Sequence, residues 1–392
     1  MPPEIEIGIG KSGRRAYGFD DIAIVPSRRT RDPEDVSIAW EIDAYRFELP
    51  LLASAMDGVV SPRTAIEIGR LGGLGVLNLE GLWTRYDDPE PILEEIAGLD
   101  DETATKRMQE LYAEPIREDL IRARIAQIRE AGVVTAASLT PQKTVKFYKT
   151  VLESGVDLFV IQGTVVSAEH VSTRGEPLNL KKFIADLDVP VIVGGCATYQ
   201  AALHLMRTGA AGLLVGVGPG QACTTRGVLG VGVPMATAIA DAAGARRDYL
   251  DESGGRYVHV IADGGMRTGG DIAKAIACGA DAVMIGSPLS RALEAPGRGY
   301  HWGMATFHAD LPRGARVRTG VAGTLKEILV GPAPVNDGSM NLFGALRTSM
   351  ATTGYSNLKE FQKVEVMVAP ALQTEGKSLQ RGQGIGMGAG RG

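Results

Sequence analysis

The chain has 392 residues, 44% of them hydrophobic and 22% charged, with a net charge of −5. This is the balance of a globular protein with an ample core, and it argues against a surface built for nucleic acid or an anionic membrane. No apolar run approaches the roughly 20 residues of a membrane span. Three widely spaced cysteines (Cys196, Cys223, Cys278) suit a reducing compartment and suggest neither a disulfide framework nor a thiolate zinc site.

In chain order, the opening MPPEIEIGIGKSGRR lacks the basic-then-apolar organisation of a secretory signal, so a cytoplasmic location is expected. Short apolar runs then alternate with helical patterns. Strands are predicted at LPLLASAM (49–56), LGVLNL (74–79), VVTAASL (133–139) and DLFVIQG (157–163). Four more follow at PVIVGG (190–195), GLLVGV (212–217), VHVIADGG (258–265) and AVMIGSP (282–288). Runs that are apolar throughout belong to parallel strands covered on both faces. Helices carry their own punctuation: Ser61-Pro62 opens one as N-cap and N1, and Gly72-Gly73 closes it. Residues 115–132 place Ile116, Leu120, Ile121, Ile125 and Ile128 on one stripe. Eight βα units predict a single (β/α)8 TIM barrel over 1–373, with an open doubly wound sheet as the architectural rival. Three stretches break the alternation. Residues 80–114 form an acidic excursion, and 297–340 form a flap region after strand 8. Residues 374–392 form a Gly-rich tail expected to be disordered.

In such a barrel the strand C-termini share one face, and the loops after strands 7 and 8 often hold phosphate. Here those loops are ADGGMRTGG and IGSPLS, so the backbones of Gly264, Gly265 and Gly286, with the hydroxyl of Ser287, are candidate phosphate ligands. The same glycines would also serve plain tight turns. Asp263 ends strand 7, where a carboxylate suits the two hydroxyls of a ribose and so points to a nucleotide; capping of the following turn is its structural alternative. After strand 6 comes GVGPGQACTTRGVLGVGVP (216–234), whose glycines and prolines predict neither helix nor strand. Cys223 in this loop is a candidate nucleophile, with Thr225 beside it to move a proton. Cys278 reads as core, and Cys196, at the end of strand 5, is placed to touch the pocket.

That cysteine segment, ADGGMRTGGDIAKAIACGADAVMIGSPL, FDDIAIVPS, SAMD and GALRTSMATTGYSNLKEF together resemble the IMP dehydrogenase / GMP reductase family, from about Tyr17 to Val368. The resemblance implies a homotetramer or higher homo-oligomer that binds a purine nucleoside monophosphate (GMP, IMP or XMP). Cys223 would attack purine C2, hydride would pass between C2 and NADPH or NAD, and Thr225 would help handle water or ammonia. It further implies that Ser54 and Met56 line the nucleotide pocket and that Met304 and Ala305 contact the base. His301 stands where the family has a tyrosine, and Gln162 replaces the family's cofactor-side aspartate after strand 4. Main-chain oxygens of Gly218, Gly220 and Cys223 would hold potassium. Dehydrogenases of the family carry a CBS insert between strands 2 and 3 and an Arg-Tyr pair on the flap. This chain has neither, which favours NADPH-dependent GMP reductase over IMP dehydrogenase. Yet the glutamate that reductases take from the flap is also missing, and strand 2 ends in an unfamiliar NLEG (78–81). An FMN-dependent barrel oxidoreductase and a catalytically silent nucleotide-binding regulator are the remaining alternatives.

Overall fold

The computed structural model describes residues 4–173, 178–372 and 374–389. Eight parallel strands close on themselves. In chain order they are strand 1 (Leu51–Ala53), strand 2 (Leu74–Asn78), strand 3 (Ala136–Leu139) and strand 4 (Leu158–Gln162). Then come strand 5 (Val191–Cys196), strand 6 (Gly212–Val215), strand 7 (His259–Asp263) and strand 8 (Ala282–Ile285). All but strand 5, which runs on to Cys196, lie inside their predicted runs. Strand 3 ends where predicted, at Leu139, and in strands 1, 2, 4, 6, 7 and 8 the residues beyond the observed end begin the loops at the mouth. Strand 8 pairs with strand 1 in the register Val283↔Leu51, Met284↔Leu52 and Ile285↔Ala53, which makes the sheet a barrel and overturns the open alternative.

Local signals hold where the side chains that carry them find partners. The Ser61 hydroxyl accepts the Thr64 N–H at 3.0 Å and so caps helix Pro62–Arg70. The helix predicted over 115–132 spans Glu118–Glu130 and buries Leu120, Ile121, Ile125 and Ile128, while Ile116 precedes it and is half-buried. The segment 216–234, read as neither helix nor strand, contains a short helix, Thr225–Leu229. Gly230 ends it in the left-handed region at φ 68°, where a glycine serves as the cap. In the tail, residues 378–383 form a helix (Ser378–Gln383), and the Gly386 N–H donates to Asn336 Oδ1 at 3.2 Å.

The two ends of the barrel differ in character. A hairpin of Trp40–Ile42 and Tyr45–Phe47 covers the N-terminal end, where the Trp40 indole donates to His259 Nδ1 at 3.1 Å. Beside it the fully buried Asp281 gathers Arg246, Lys359, Tyr257 and Gln362, tying the C-terminal segment to the barrel floor. At the other end the excursion forms two helices, Glu90–Gly98 and Asp101–Leu111, leaning on the segment after strand 8. No helix among the described residues is long and apolar enough to cross a membrane.

Candidate active site at the barrel mouth

The C-terminal ends of the strands surround a cavity of about 650 Å³. Its wall on the side of strands 6, 7, 8 and 1 includes Cys223, Asp263, Gly264, Gly265, Gly286, Ser287, Ser54 and Met56. The Cys223 N–H donates to Gly220 O at 3.0 Å, bending the loop so that the thiol faces the cavity and donates to Thr225 Oγ1 at 3.2 Å. Thr225 is fully buried. Arg226 fastens the loop from behind, its Nε donating to Val217 O at 3.1 Å and its Nη2 to Val233 O at 2.8 Å.

The two glycine turns are built for close approach. Gly264 and Gly265 have φ of 80° and 79°, which a side chain would strain. A Cβ on Gly286 would lie 2.8 Å from Met56 Sδ, so a larger residue there would push the Met56 side chain aside. Ser287 Oγ lies 2.7 Å from His301 Nε2. Burial pushes His301 down to about 4, so its ring is neutral near neutral pH and holds the serine rather than an anion. Asp263 is the last residue of strand 7, and loss of solvation pushes its carboxyl up to about 7 against the opposing hydrogen bond from Gln162 Nε2 at 3.1 Å. Gln162 is thus both a cavity residue and a partner of the candidate ribose ligand.

The opposite wall, from strands 2 to 4, contains Glu80, Thr140, Gln142, Gln162, Gly163 and Thr164. Glu80 is buried and its carboxylate accepts the Thr140 N–H at 2.5 Å. Met304, Ala305, Phe307, His308 and Arg313 of the flap region close the cavity from above. The flap grips the cysteine loop directly: Thr224 N–H donates to Arg313 O at 2.9 Å and Ala315 N–H donates to Ala222 O at 2.7 Å.

What holds the flap is the excursion. Trp302 Nε1 donates to the Tyr112 hydroxyl at 2.8 Å, and that hydroxyl donates to the buried Asp57 carboxylate. Phe307 stacks on Tyr112 with ring centroids 4.1 Å apart, and Arg316 donates to Ile96 O at 2.6 Å and Asp101 Oδ1 at 2.7 Å. Removing the Tyr112 hydroxyl (Tyr112→Phe) leaves the indole N–H of Trp302 unpaired and takes one donor from Asp57 Oδ2, which keeps the Leu82 N–H at 2.8 Å, at a cost of about 1–3 kcal/mol. Amide exchange over 303–316 is then expected to quicken about tenfold or more while the barrel strands stay protected; unchanged exchange there would show that the excursion does not brace the flap.

All the residues singled out from the sequence as nucleotide or catalytic candidates, and Gln162 with them, meet in this one cavity, along with Gly218 and Gly220. Cys196 does not: it is 2% exposed and lies outside the cavity lining, and burial pushes its thiol up to about 12. Cys278 packs against the core and its thiol is likewise pushed up to about 12. Sequence reasoning passed over Glu80, Arg267 and Arg313. Their signals were a carboxylate at the end of strand 2, an arginine two residues beyond Gly265, and an arginine without its tyrosine. Among the described residues no group of three or more His, Cys, Asp or Glu is placed to hold a metal ion.

The profile of the IMP dehydrogenase / GMP reductase domain matches residues 16–378. An uncharacterized oxidoreductase of Mycolicibacterium smegmatis is 55% identical over 372 residues, covering 93% of this chain and 99% of that protein. The inosine-5'-monophosphate dehydrogenase of Methanocaldococcus jannaschii is 28% identical over 481 residues, covering 92% and 94%. The crystal structure of an IMP dehydrogenase/GMP reductase-like protein from Corynebacterium glutamicum superposes with a TM-score of 0.89 at 49% identity, covering 93% of this chain and 98% of that one.

Proposed function

The chain belongs to the IMP dehydrogenase / GMP reductase family and is an oxidoreductase, and from that premise we propose that it oxidises a purine nucleoside monophosphate at C2, IMP to XMP, through a covalent bond to Cys223. The observation that carries the reading is the convergence of the Cys223 thiol, its Thr225 partner at 3.2 Å, the Asp263 carboxyl and both glycine turns on one cavity. The phosphate is assigned to the turns at Gly264, Gly265, Gly286 and Ser287, where backbone N–H groups and a hydroxyl supply donors. Asp263 takes the ribose hydroxyls, and Ser54, Met56, Met304 and Ala305 enclose the base over the thiol.

Once its proton has passed to Thr225 or solvent, the Cys223 sulfur adds to C2 and the C2–H pair of electrons leaves as hydride. A nicotinamide cofactor, when bound, accepts that hydride. The wall of Glu80, Thr140, Gln162, Gly163 and Thr164 suits its ring: it is polar, free of cations, and lies across the cavity from the phosphate turns. Water then adds to C2, the C2–S bond breaks, and sulfur departs as thiolate. Two groups favour this second step. Thr225 Oγ1 relays the proton of the attacking water, and the positive charge of Arg313, a residue of the cavity lining, favours its hydroxide-like character. Arg313 carries the choice of direction, since GMP reduction releases ammonia and needs no attacking water.

The second reading, NADPH-dependent GMP reduction, is favoured by the short insert between strands 2 and 3 and by the flap's lack of an Arg-Tyr pair. A potassium ion would be held by the main-chain oxygens of Gly218, Gly220 and Cys223, of which Gly220 O also accepts the Cys223 N–H. The test is a two-direction assay at 340 nm with purified protein: IMP plus NAD, and GMP plus NADPH. Absorbance rising only with IMP and NAD is expected. Loss of NADPH absorbance with GMP alone assigns the reductase instead, and tight nucleotide binding without turnover in either direction overturns the enzymatic reading.

A further inference from the structure

Two carboxylates line the cavity, Asp263 and Glu80. The first has a role on the nucleotide side. The second, four strands around the barrel from the cysteine loop, has none so far. Its surroundings are specific. Glu80 is 6% exposed, and its own N–H donates to Asn78 Oδ1 at 3.0 Å. Its carbonyl accepts Arg85 Nε at 3.0 Å, and its carboxylate accepts the Thr140 N–H at 2.5 Å. The turn beyond it packs tightly on Asp57 and takes only glycine, because a Cβ on Gly81 would lie 1.9 Å from Asp57 Oδ1. A carboxylate is therefore held rigidly at the cavity wall, beside the amide of Gln162 and the hydroxyls of Thr140 and Thr164.

Burying a carboxylate without a bonded cation is costly, and a chain retains one where a ligand supplies the missing partner. The ligand that suits this wall has an N–H donor and a delocalised positive charge within a flat ring. An oxidised nicotinamide has both, in its carboxamide and its pyridinium, whereas the reduced ring keeps the carboxamide and loses the charge. Gln162 fits the same picture. The family's carboxylate at the end of strand 4 is absent here, and the amide that replaces it is turned to Asp263.

We propose that Glu80 positions the nicotinamide end of the cofactor, accepting a hydrogen bond from its carboxamide and favouring the oxidised over the reduced ring, so that the negative charge absent from strand 4 is supplied from strand 2. This rests on the reading of the cavity as a nucleotide oxidoreductase site, and it deepens that reading by making the wall selective for redox state.

The test uses Glu80→Gln, which keeps an oxygen for the Thr140 N–H, removes the charge and replaces the second acceptor oxygen by an NH2 donor. Dissociation constants for NAD and NADH are measured by calorimetry on the IMP-loaded protein, alongside IMP binding and melting temperature. The expected result is NAD binding weakened tenfold or more, NADH binding weakened at least threefold less because it loses only the carboxamide hydrogen bond, and unchanged IMP binding. Glu80→Asp, which keeps the charge but draws it back by one methylene, is expected to lose less of the preference, and it decides the matter if Glu80→Gln does not fold. Equal losses for both cofactors, or no loss, would overturn the role of Glu80 while leaving the oxidoreductase reading intact. A wild-type protein that binds IMP but neither cofactor would overturn both.

Discussion

Replacing Cys223 by alanine is expected to lower turnover by about 10⁴-fold or more, the scale seen when an enzyme loses its covalent nucleophile, while nucleotide binding changes only a few-fold. The split follows from geometry. The two glycine turns, Asp263, Ser54, Met56, Met304 and Ala305 stand on or beside strands 1, 7 and 8 and on the flap, and among the described residues none of them hydrogen-bonds to the thiol. The thiol's one side-chain partner is Thr225, 3.2 Å away on the same loop. Cys223→Ser keeps a hydroxyl in that place but gives a poorer nucleophile and leaving group, so it should be nearly as inactive. Two measurements check this: steady-state rates with saturating IMP and NAD, and IMP affinity by calorimetry. Mass spectrometry of wild type quenched during turnover should also show an adduct at Cys223 that the alanine variant lacks. Retention of more than a few per cent of activity in Cys223→Ala would remove the covalent mechanism.

The second large effect lies at the opposite end of the barrel and concerns stability. Asp281 Oδ2 accepts Arg246 Nη1 at 2.6 Å and the Val260 N–H at 2.8 Å, while Oδ1 accepts Lys359 Nζ at 2.5 Å, the Tyr257 hydroxyl at 2.7 Å and Gln362 Nε2 at 3.0 Å. The carboxylate is 1% exposed. Asp281→Asn leaves Arg246 and Lys359 without their counter-charge. Removing one partner from a buried ion pair costs about 3–5 kcal/mol, which for a chain of this size lowers the melting temperature by about 5 °C. The acid limb follows the same group. Against the cost of burial, Arg246 and Lys359 hold the Asp281 carboxyl down to about 2, below the ordinary unfolded value near 3.9. Its stabilisation is therefore complete above about pH 4 and is lost as pH falls toward 2, where the folded state also takes up the proton. Melting temperatures from pH 6 to pH 2.5 should fall more steeply for wild type than for Asp281→Asn. Parallel curves, or a variant as stable as wild type, would show that the cluster contributes little.

The apolar runs of the eight strands were legible because a strand in a parallel barrel is covered on both faces, and that burial is written into consecutive residues. Helix Pro62–Arg70 was equally plain, since Ser61 and Pro62 act within a single turn. The glycine turns after strands 7 and 8 were legible for a related reason: the positive φ at Gly264 and Gly265 calls for glycine within a single turn. Less local features were misjudged. The segment 216–234 was read as neither helix nor strand, yet it holds the helix Thr225–Leu229, capped by Gly230. Cys196 was placed near the pocket by its strand end, yet its side chain turns into the core.

What the chain's order of residues determined by itself was the set of building blocks, eight βα units, two glycine turns and a thiol loop, because each depends on interactions within a few positions. The tertiary structure alone decided which distant residues share a wall. It set Glu80 across from the cysteine loop, brought Arg313 over the mouth, and ran the Asp57–Tyr112–Trp302 chain between excursion and flap. Closure of strand 8 onto strand 1 turns sequence separation into proximity, and no periodicity within either partner carries that information.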